Sequence, residues 1–253
     1  LTSGLRVYAI GDVHGCLQQL GELFQSIESD SADRGNARTK IILLGDMIDR
    51  GSHSAEVTKL LYAMRDSDKV VCLKGNHEKT MVDVLGGDLS ALRFWVDFGG
   101  ADTLCSWGVD AALVEALRNS EPVEFDVLDA FRAAVPKEIV DWLADLPLTH
   151  REGDYFFVHA GVRPGVALEK QKEDDLLWIR EPFLSSWRRH GATIVHGHSE
   201  TDEVTMSSSR IGIDTGAYRT GRLTALGLEG EQQWTLTTGE AAEGQDDMEL
   251  ARA

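Results

Sequence analysis

Five short apolar runs in this chain each give way at once to a loop carrying Asp, Asn or His. Val7-Tyr8-Ala9-Ile10 leads into Gly11-Asp12-Val13-His14-Gly15, and Ile41-Ile42-Leu43-Leu44 into Gly45-Asp46-Met47-Ile48-Asp49-Arg50-Gly51. Val70-Val71-Cys72-Leu73 reaches Gly75-Asn76-His77-Glu78 after Lys74, Tyr155-Phe156-Phe157-Val158 runs into His159-Ala160-Gly161, and Thr193-Ile194-Val195 into His196-Gly197-His198. Four or five apolar, partly β-branched residues bounded by Gly and polar residues predict buried strands. Helical spacing fills the gaps between the first of them: Leu17, Leu20, Leu23, Phe24 and Ile27, then Val57, Leu60, Leu61 and Met64. Strand, polar loop, helix and strand in succession predict an α/β fold with parallel strands at its start. Functional groups of such sheets collect beyond the carboxyl ends of the strands. A lone Gly-Asp is ordinarily a turn. Five strand endings of this composition instead predict side chains that converge on one cleft.

From about residue 86 to 150 the pattern is helical. Leu89, Leu92, Phe94, Trp95 and Val96 predict a packed helix stopped by Gly99-Gly100. Val127, Leu128 and Phe131, then Ile139, Val140 and Leu143, predict two more amphipathic helices, the second opening at Pro136. After His198, alternation at Ile211/Ile213, Leu223–Leu228 and Trp234/Leu236 predicts antiparallel strands that close the fold. One domain over residues 1–238 is expected, with 239–253 as an acidic, frayed tail.

Composition limits the function classes. The 253 residues are 42% hydrophobic and 26% charged, as in ordinary globular proteins, and no apolar run approaches the roughly 20 residues a membrane span needs. A formal charge of −17, from 25 basic and 42 acidic residues, repels nucleic acid and anionic membranes, so neither is an expected partner. The odd, sparse set Cys16, Cys72 and Cys105 suits a reducing compartment, and the start of the chain lacks the basic and apolar segments of a secretory signal. A cytoplasmic protein is expected.

Carboxylates, imidazoles and an amide without paired thiolates suit Mn, Fe or Zn rather than a structural cysteine site. Asp12 and His14, two apart in one loop, can face a single ion, and the two oxygens of Asp46 make it the natural bridge between two. Two divalent cations about 3.5–4 Å apart can clamp an in-line displacement and ionise a shared water near pH 7.

The ordered blocks Gly11–Gly15, Gly45–Gly51 and Gly75–Glu78, with His159-Ala160-Gly161 and Gly197-His198 after them, resemble the calcineurin-like metallophosphoesterases. More narrowly they resemble the phosphoprotein (serine/threonine) phosphatases of the bacterial and phage branch, over roughly residues 6–228. The resemblance implies a central β-sandwich of two mixed sheets flanked by helices in four layers, and a pair of divalent metal ions, usually manganese. It implies Asp12, His14 and Asp46 as ligands of one metal and Asp46, Asn76, His159 and His198 as ligands of the other. It also implies His77 as general acid, Asp49 as the group orienting it, and Arg50 as a phosphate clamp beside Asn76. A second clamping arginine is expected at Arg180, with Arg163 as the competitor.

Other side chains carry simpler expectations. His53, His150 and His190 follow no strand-end pattern and are expected on the surface or at caps. His196 is expected to be supporting, Asp214 a turn residue, and Glu78 a local cap of its own helix. Cys16, Cys72 and Cys105 lack the arginine six positions on that a cysteine phosphatase needs; Glu22, Glu78 and Ala111 stand there. His77-Glu78-Lys79-Thr80-Met81 lacks the second histidine of a zinc-protease helix, and no phosphate-binding Gly-x-x-x-x-Gly-Lys-Ser/Thr loop exists. Glu200 stands where related nucleases carry a further histidine. The expected activity is therefore phosphomonoester hydrolysis, with a phosphorylated protein or a small phosphoester as substrate. Symmetrical hydrolysis of diadenosine tetraphosphate is the alternative, compatible with Gly15-Cys16, although Asp49-Arg50 resembles the protein phosphatases more closely. An inactive binding scaffold is disfavoured because the whole donor set is present.

Overall fold

The computed structural model describes residue 1 and residues 4–239. The expected acidic tail lies, from residue 240 on, outside the described residues. Among the described residues ten strands run in chain order as β1 (Leu5–Ile10), β2 (Arg38–Leu43), β3 (Val70–Cys72), β4 (Thr149–Glu152), β5 (Tyr155–Val158), β6 (Thr193–His196), β7 (Thr205–Met206), β8 (Arg210–Gly212), β9 (Thr224–Glu229) and β10 (Gln232–Thr237). They form two mixed five-stranded sheets, ordered β10-β9-β1-β2-β3 and β4-β5-β6-β8-β7. In the first, β1, β2 and β3 are parallel while β9 and β10 run antiparallel to their neighbours. In the second, β5, β6 and β8 are parallel, with β4 and β7 antiparallel at the edges.

Alternation along each strand makes the layers. Val7, Ala9 and Ile42 point between the sheets, where they meet Tyr155, Phe157, Val195 and Ile211. Tyr8, Ile10 and Leu43 point the other way, onto a helical layer. That layer comprises α1 (Leu17–Asp33), α2 (Ser54–Ala63), α3 (Asn76–Gly86), α4 (Leu89–Trp95), α5 (Ala101–Ser106), α6 (Ala111–Arg118), α7 (Glu124–Ala134) and α8 (Lys137–Asp145). The outer face of the second sheet, with Phe156, Val158 and Ile194, packs on α9 (Glu173–Trp178) and the following Ile179 and Phe183. A short α10 (Ala217–Thr220) precedes β9. Because successive strand residues face opposite sides, strands apolar throughout are buried on both faces. The expected four-layer arrangement is the one observed.

Two local expectations change. Gly99-Gly100 does not stop the helix: α4 passes through a π-type turn over Val96–Gly100 and resumes as α5. Gly99 takes φ +109°, a conformation open to glycine, and so kinks the helix rather than ending it. Phe94 lies on the outside, 53% exposed, instead of packing. The closing strands also divide. β9 and β10 pair antiparallel in the first sheet, but β8 joins the second sheet parallel to β6, because Ile211 is drawn into the layer between the sheets. Among the described residues no helix is long and apolar enough to cross a membrane.

Candidate metal centre

The carboxyl ends of β1, β2 and β3 open on the same side as those of β5 and β6. The loops after them are tied to one another: the N–H groups of Val13 and His14 donate to Asp46 O, and Gly197 N–H donates to His159 O. The two sheets are joined across the cleft by His198 N–H donating to Asp12 Oδ2 at 3.0 Å. Such sharp loops demand unusual backbone. Of six non-glycine residues with positive φ among the described residues, five are His14, Asp46, Asp49, Arg50 and His198. Each such conformation costs on the order of 1–3 kcal/mol and persists only where surrounding contacts hold it. The flanking glycines answer to space as well: a Cβ on Gly75 would lie 2.1 Å from Asp46 Oδ1, and one on Gly197 2.0 Å from Asp12 Oδ1.

Two overlapping groups of ligand atoms result, His14/Asp46/His77 and Asp46/His159/His198, all buried, each with its atoms within 4.8 Å of one another. Asp46 belongs to both, as expected of a bridge. Asn76 joins the second, with Oδ1 2.8 Å from His159 Nε2. Asp12 is in neither group, although it lines the same cleft. The tautomers are fixed from outside. His14 Nδ1 faces Ile48 O at 2.8 Å and His159 Nδ1 faces Leu44 O at 3.0 Å, so each donates there and turns a bare Nε2 inward. Burial keeps these rings neutral, pushing His14 down to about 3 and His198 down to about 2. His159 Nε2 thus opposes the acceptor oxygens of Asn76 and, at 3.4 Å, of Asp46. Asp12 Oδ1 and His198 Nε2 are buried without any hydrogen-bond partner. Burial, Asp214 and Asp46 together push Asp12 up, the signature of crowded like charges. Acceptors facing acceptors fit divalent cations.

His77 stands apart from the other imidazoles. Its Nδ1 is 2.5 Å from Asp49 Oδ2, leaving Nε2 toward the cleft, 3.7 Å from Asp46 Oδ2. Burial alone would favour the neutral ring, but Asp46 and Asp49 outweigh it and push His77 up to about 9. The kinked α4–α5 segment locks Asp49 in place. Trp95 Nε1 donates to Asp49 Oδ2 at 2.5 Å, and Thr103 Oγ1 donates to Oδ1 at 2.5 Å while accepting the Asp49 N–H at 3.0 Å. Sequence reasoning missed both, since only the tertiary fold carries Thr103 across 54 positions to Asp49.

Arg50 Nη1 lies 2.8 Å from His14 Nε2 and Nη2 3.5 Å from His77 Nε2, on the side of the first group. Arg180 donates to His198 O at 3.3 Å, beside the second. Both line a cleft of about 350 Å³ together with Asp12, Asp46, Asn76, His77 and His198. Arg163 does not; it is held in a bidentate pair with Asp175. Tyr218, also missed, packs edge-on against His14 at 5.4 Å and beneath the Arg50 guanidinium at 4.7 Å, its hydroxyl donating to Glu200. Glu78 does cap its helix at Gly75, but the same carboxylate also accepts the N–H groups of Asp46 and Met47, which corrects the purely local expectation. Asp214 forms the expected turn, accepting Gly216 N–H at 3.0 Å, and is buried near enough to the cleft for burial and Asp46 to push it up to about 6. His196 belongs to neither ligand group and packs edge-on against Phe183.

The sequence that builds this site matches a known family. The family model described as calcineurin-like phosphoesterase matches residues 5–223. The chain belongs to the calcineurin-like phosphoesterase family. Among the curated relatives of this calcineurin-like chain is a symmetrical bis(5'-nucleosyl)-tetraphosphatase of Pseudomonas fluorescens, 30% identical over 192 residues, covering 71% of this chain and 53% of the relative. Another of the same name, from Methylococcus capsulatus, is 29% identical over 160 residues, covering 63% and 44%. The calcineurin-like chain is thus matched over about half the length of these relatives. Their names fall on the alternative branch, not on the phosphoprotein phosphatases suggested by Asp49-Arg50. In three dimensions it resembles a crystal structure provisionally named a diadenosine tetraphosphatase, with TM-score 0.64 and 22% identity over 93% of this chain and 94% of the other. It also resembles a cold-active protein-tyrosine phosphatase of Shewanella, with TM-score 0.57 and 20% identity over 93% and 79%.

Proposed function

We propose that this chain is a metal-dependent phosphoesterase that cleaves dinucleoside tetraphosphates symmetrically. The observation that carries this reading is the name shared by its curated relatives near 30% identity, symmetrical bis(5'-nucleosyl)-tetraphosphatase. The placement of Arg50 and Arg180, one beside each group of ligands, supports it, because two separated guanidinium groups suit a chain of phosphates.

Asp46 would be shared between two divalent cations, with His14 and Asp12 serving one and Asn76, His159 and His198 the other. When bound, the ions supply Lewis acidity and a water that ionises near neutral pH; the donor set suits manganese, iron or zinc. The remaining work belongs to the chain. Arg50 and Arg180 bind and orient phosphate oxygens, where charge builds up in the transition state. His77, held through Nδ1 by Asp49, presents Nε2–H to the leaving oxygen and is reprotonated from solvent afterwards.

Products test the reading. Metal-reconstituted protein given diadenosine tetraphosphate should release ADP alone. AMP with ATP, or no turnover under conditions where a phosphopeptide is dephosphorylated, would overturn it. One observation favours the second reading, phosphomonoester hydrolysis of phosphoserine or phosphothreonine: the Asp49–His77 pair. A general acid is worth most to an alkoxide, a poorer leaving group than a nucleoside diphosphate.

A further inference from the structure

Three large aromatic side chains line the cleft yet remain substantially open to solvent: Phe94 at 53%, Phe98 at 54% and Trp178 at 42%. Such exposure has a cost that a folded chain usually avoids when the rings can be covered. The rings are also placed in order. Phe94 and Phe98 stack on each other with centroids 4.2 Å apart and planes 22° from parallel. They sit on the kinked α4 segment, where Gly99 O accepts the Arg50 N–H at 3.2 Å, so this aromatic surface and that guanidinium share one rigid support. Trp178 lies on the other flank, at the end of α9, edge-on to His198 with centroids 6.3 Å apart and two residues before Arg180. The open aromatic rings and both candidate phosphate-binding arginines thus line one cleft with the candidate metal ligands.

We propose that the Phe94/Phe98 pair and Trp178 are two nucleobase-stacking surfaces, one for each end of a substrate with planar bases joined by phosphates. The proposal rests on the dinucleoside tetraphosphate reading and assigns the residues that would recognise its ends. A π-face accepts any base, so the surfaces select for a nucleoside end without selecting which one. Arg50 and Arg180 hold the adjoining phosphates.

The test separates base recognition from phosphate recognition. Calorimetric titration of the wild-type protein with AMP and with ribose 5-phosphate should show AMP binding about ten- to a hundredfold more tightly, the size of one base stack. Phe98→Ala combined with Trp178→Ala should lower that ratio by about tenfold or more, and Phe94→Leu/Phe98→Ala or Trp178→Ala alone should each remove one of two AMP sites, all leaving ribose 5-phosphate affinity unchanged. Phe125→Ala, which removes a 70%-exposed aromatic that does not line the cleft, should leave the ratio intact. A ratio near one in the wild type, or one that survives these cleft substitutions, overturns the proposal even if diadenosine tetraphosphate is cleaved to ADP. A large ratio lost in the cleft variants supports the surfaces even where no such cleavage occurs, and the failure then lies with the proposed reaction alone.

Discussion

Glu78 holds up the loop that carries Asp46 from below, its Oε2 accepting the Asp46 N–H at 2.9 Å and its Oε1 the Met47 N–H at 2.8 Å. Oε2 also takes the Gly75 N–H at 2.8 Å, so a single buried carboxylate sets the relative position of two strand-end loops. Asp46 needs that support, since its φ of +49° is one an aspartate leaves unless held. Replacing Glu78 by Gln turns an acceptor into a donor facing N–H groups. The variant should lose about 2–3 kcal/mol of stability, the scale of hydrogen bonds to a buried charge, read as a lower urea midpoint with an unchanged m-value.

Asp46 is the one carboxylate common to both ligand groups. Asp46→Asn should leave the fold intact, bind fewer than two divalent ions per chain by elemental analysis, and lose at least about 10²–10³-fold in turnover. Full activity in a variant that still carries two ions would refute the shared placement.

His77→Asn should keep both ions and slow turnover according to the leaving group. The loss should approach about 10²–10⁴-fold on alkyl phosphates and shrink markedly on p-nitrophenyl phosphate, whose leaving group needs no proton. Equal losses on both would remove His77 from the general-acid role. Thr103→Val, which takes one donor from Asp49, should give a smaller loss with the same leaving-group trend.

Arg180 and Arg163 are separated by their surroundings. Arg180→Ala should raise KM and lower kcat by about tenfold or more together, as expected when a phosphate contact disappears. Arg163→Ala breaks a pair with Asp175 outside the cleft and should leave kinetics within about twofold, with stability changed by no more than about 1 kcal/mol. The reverse result would reassign the clamp.

His196 supplies a pH test of stability. Burial, with Arg210 adding repulsion, pushes it down to about 4, below the roughly 6.5 of an unfolded histidine. The unfolded chain therefore binds the extra proton first. Stability is fully present above pH 6.5 and falls as pH drops toward 4, by on the order of 3 kcal/mol for this group. Urea unfolding of wild type and His196→Gln at pH 7 and pH 5 should show a smaller pH decrement in the variant. Equal decrements would exclude His196 as the source.

The strand-end residues could be read from the sequence because each is announced locally: an apolar run, a glycine, then Asp, Asn or His. Asp12, Asp46, Asn76 and His198 all carry that sign, and His159 carries it with the glycine two positions after it. Residues that act across the fold carry none. Glu78 shows its link to Gly75 three positions away but not the link to Asp46 thirty-two positions away. Thr103 and Trp95 reach Asp49, and Tyr218 reaches His14 and Arg50, only because α4, α5 and α10 pack where they do. Phe94 bears the mark of a core residue, yet it stands on a different face of α4 from the buried Leu92 and Trp95, and an apolar run does not report which face packs. The division of the closing strands was hidden for the same reason, because alternation reports which face is buried but not which neighbour pairs.

The seam bridged by Asp12 and His198 has a consequence for how the protein comes into being. Asp12, His14 and Asp46 all follow strands of the first sheet, but His159 and His198 come from the second, so the complete two-ion donor set assembles only when the halves dock. Divalent cations should then act as a latch on docking, slowing the parting of the sheets more than the fraying of either, and apo protein should first open along this line.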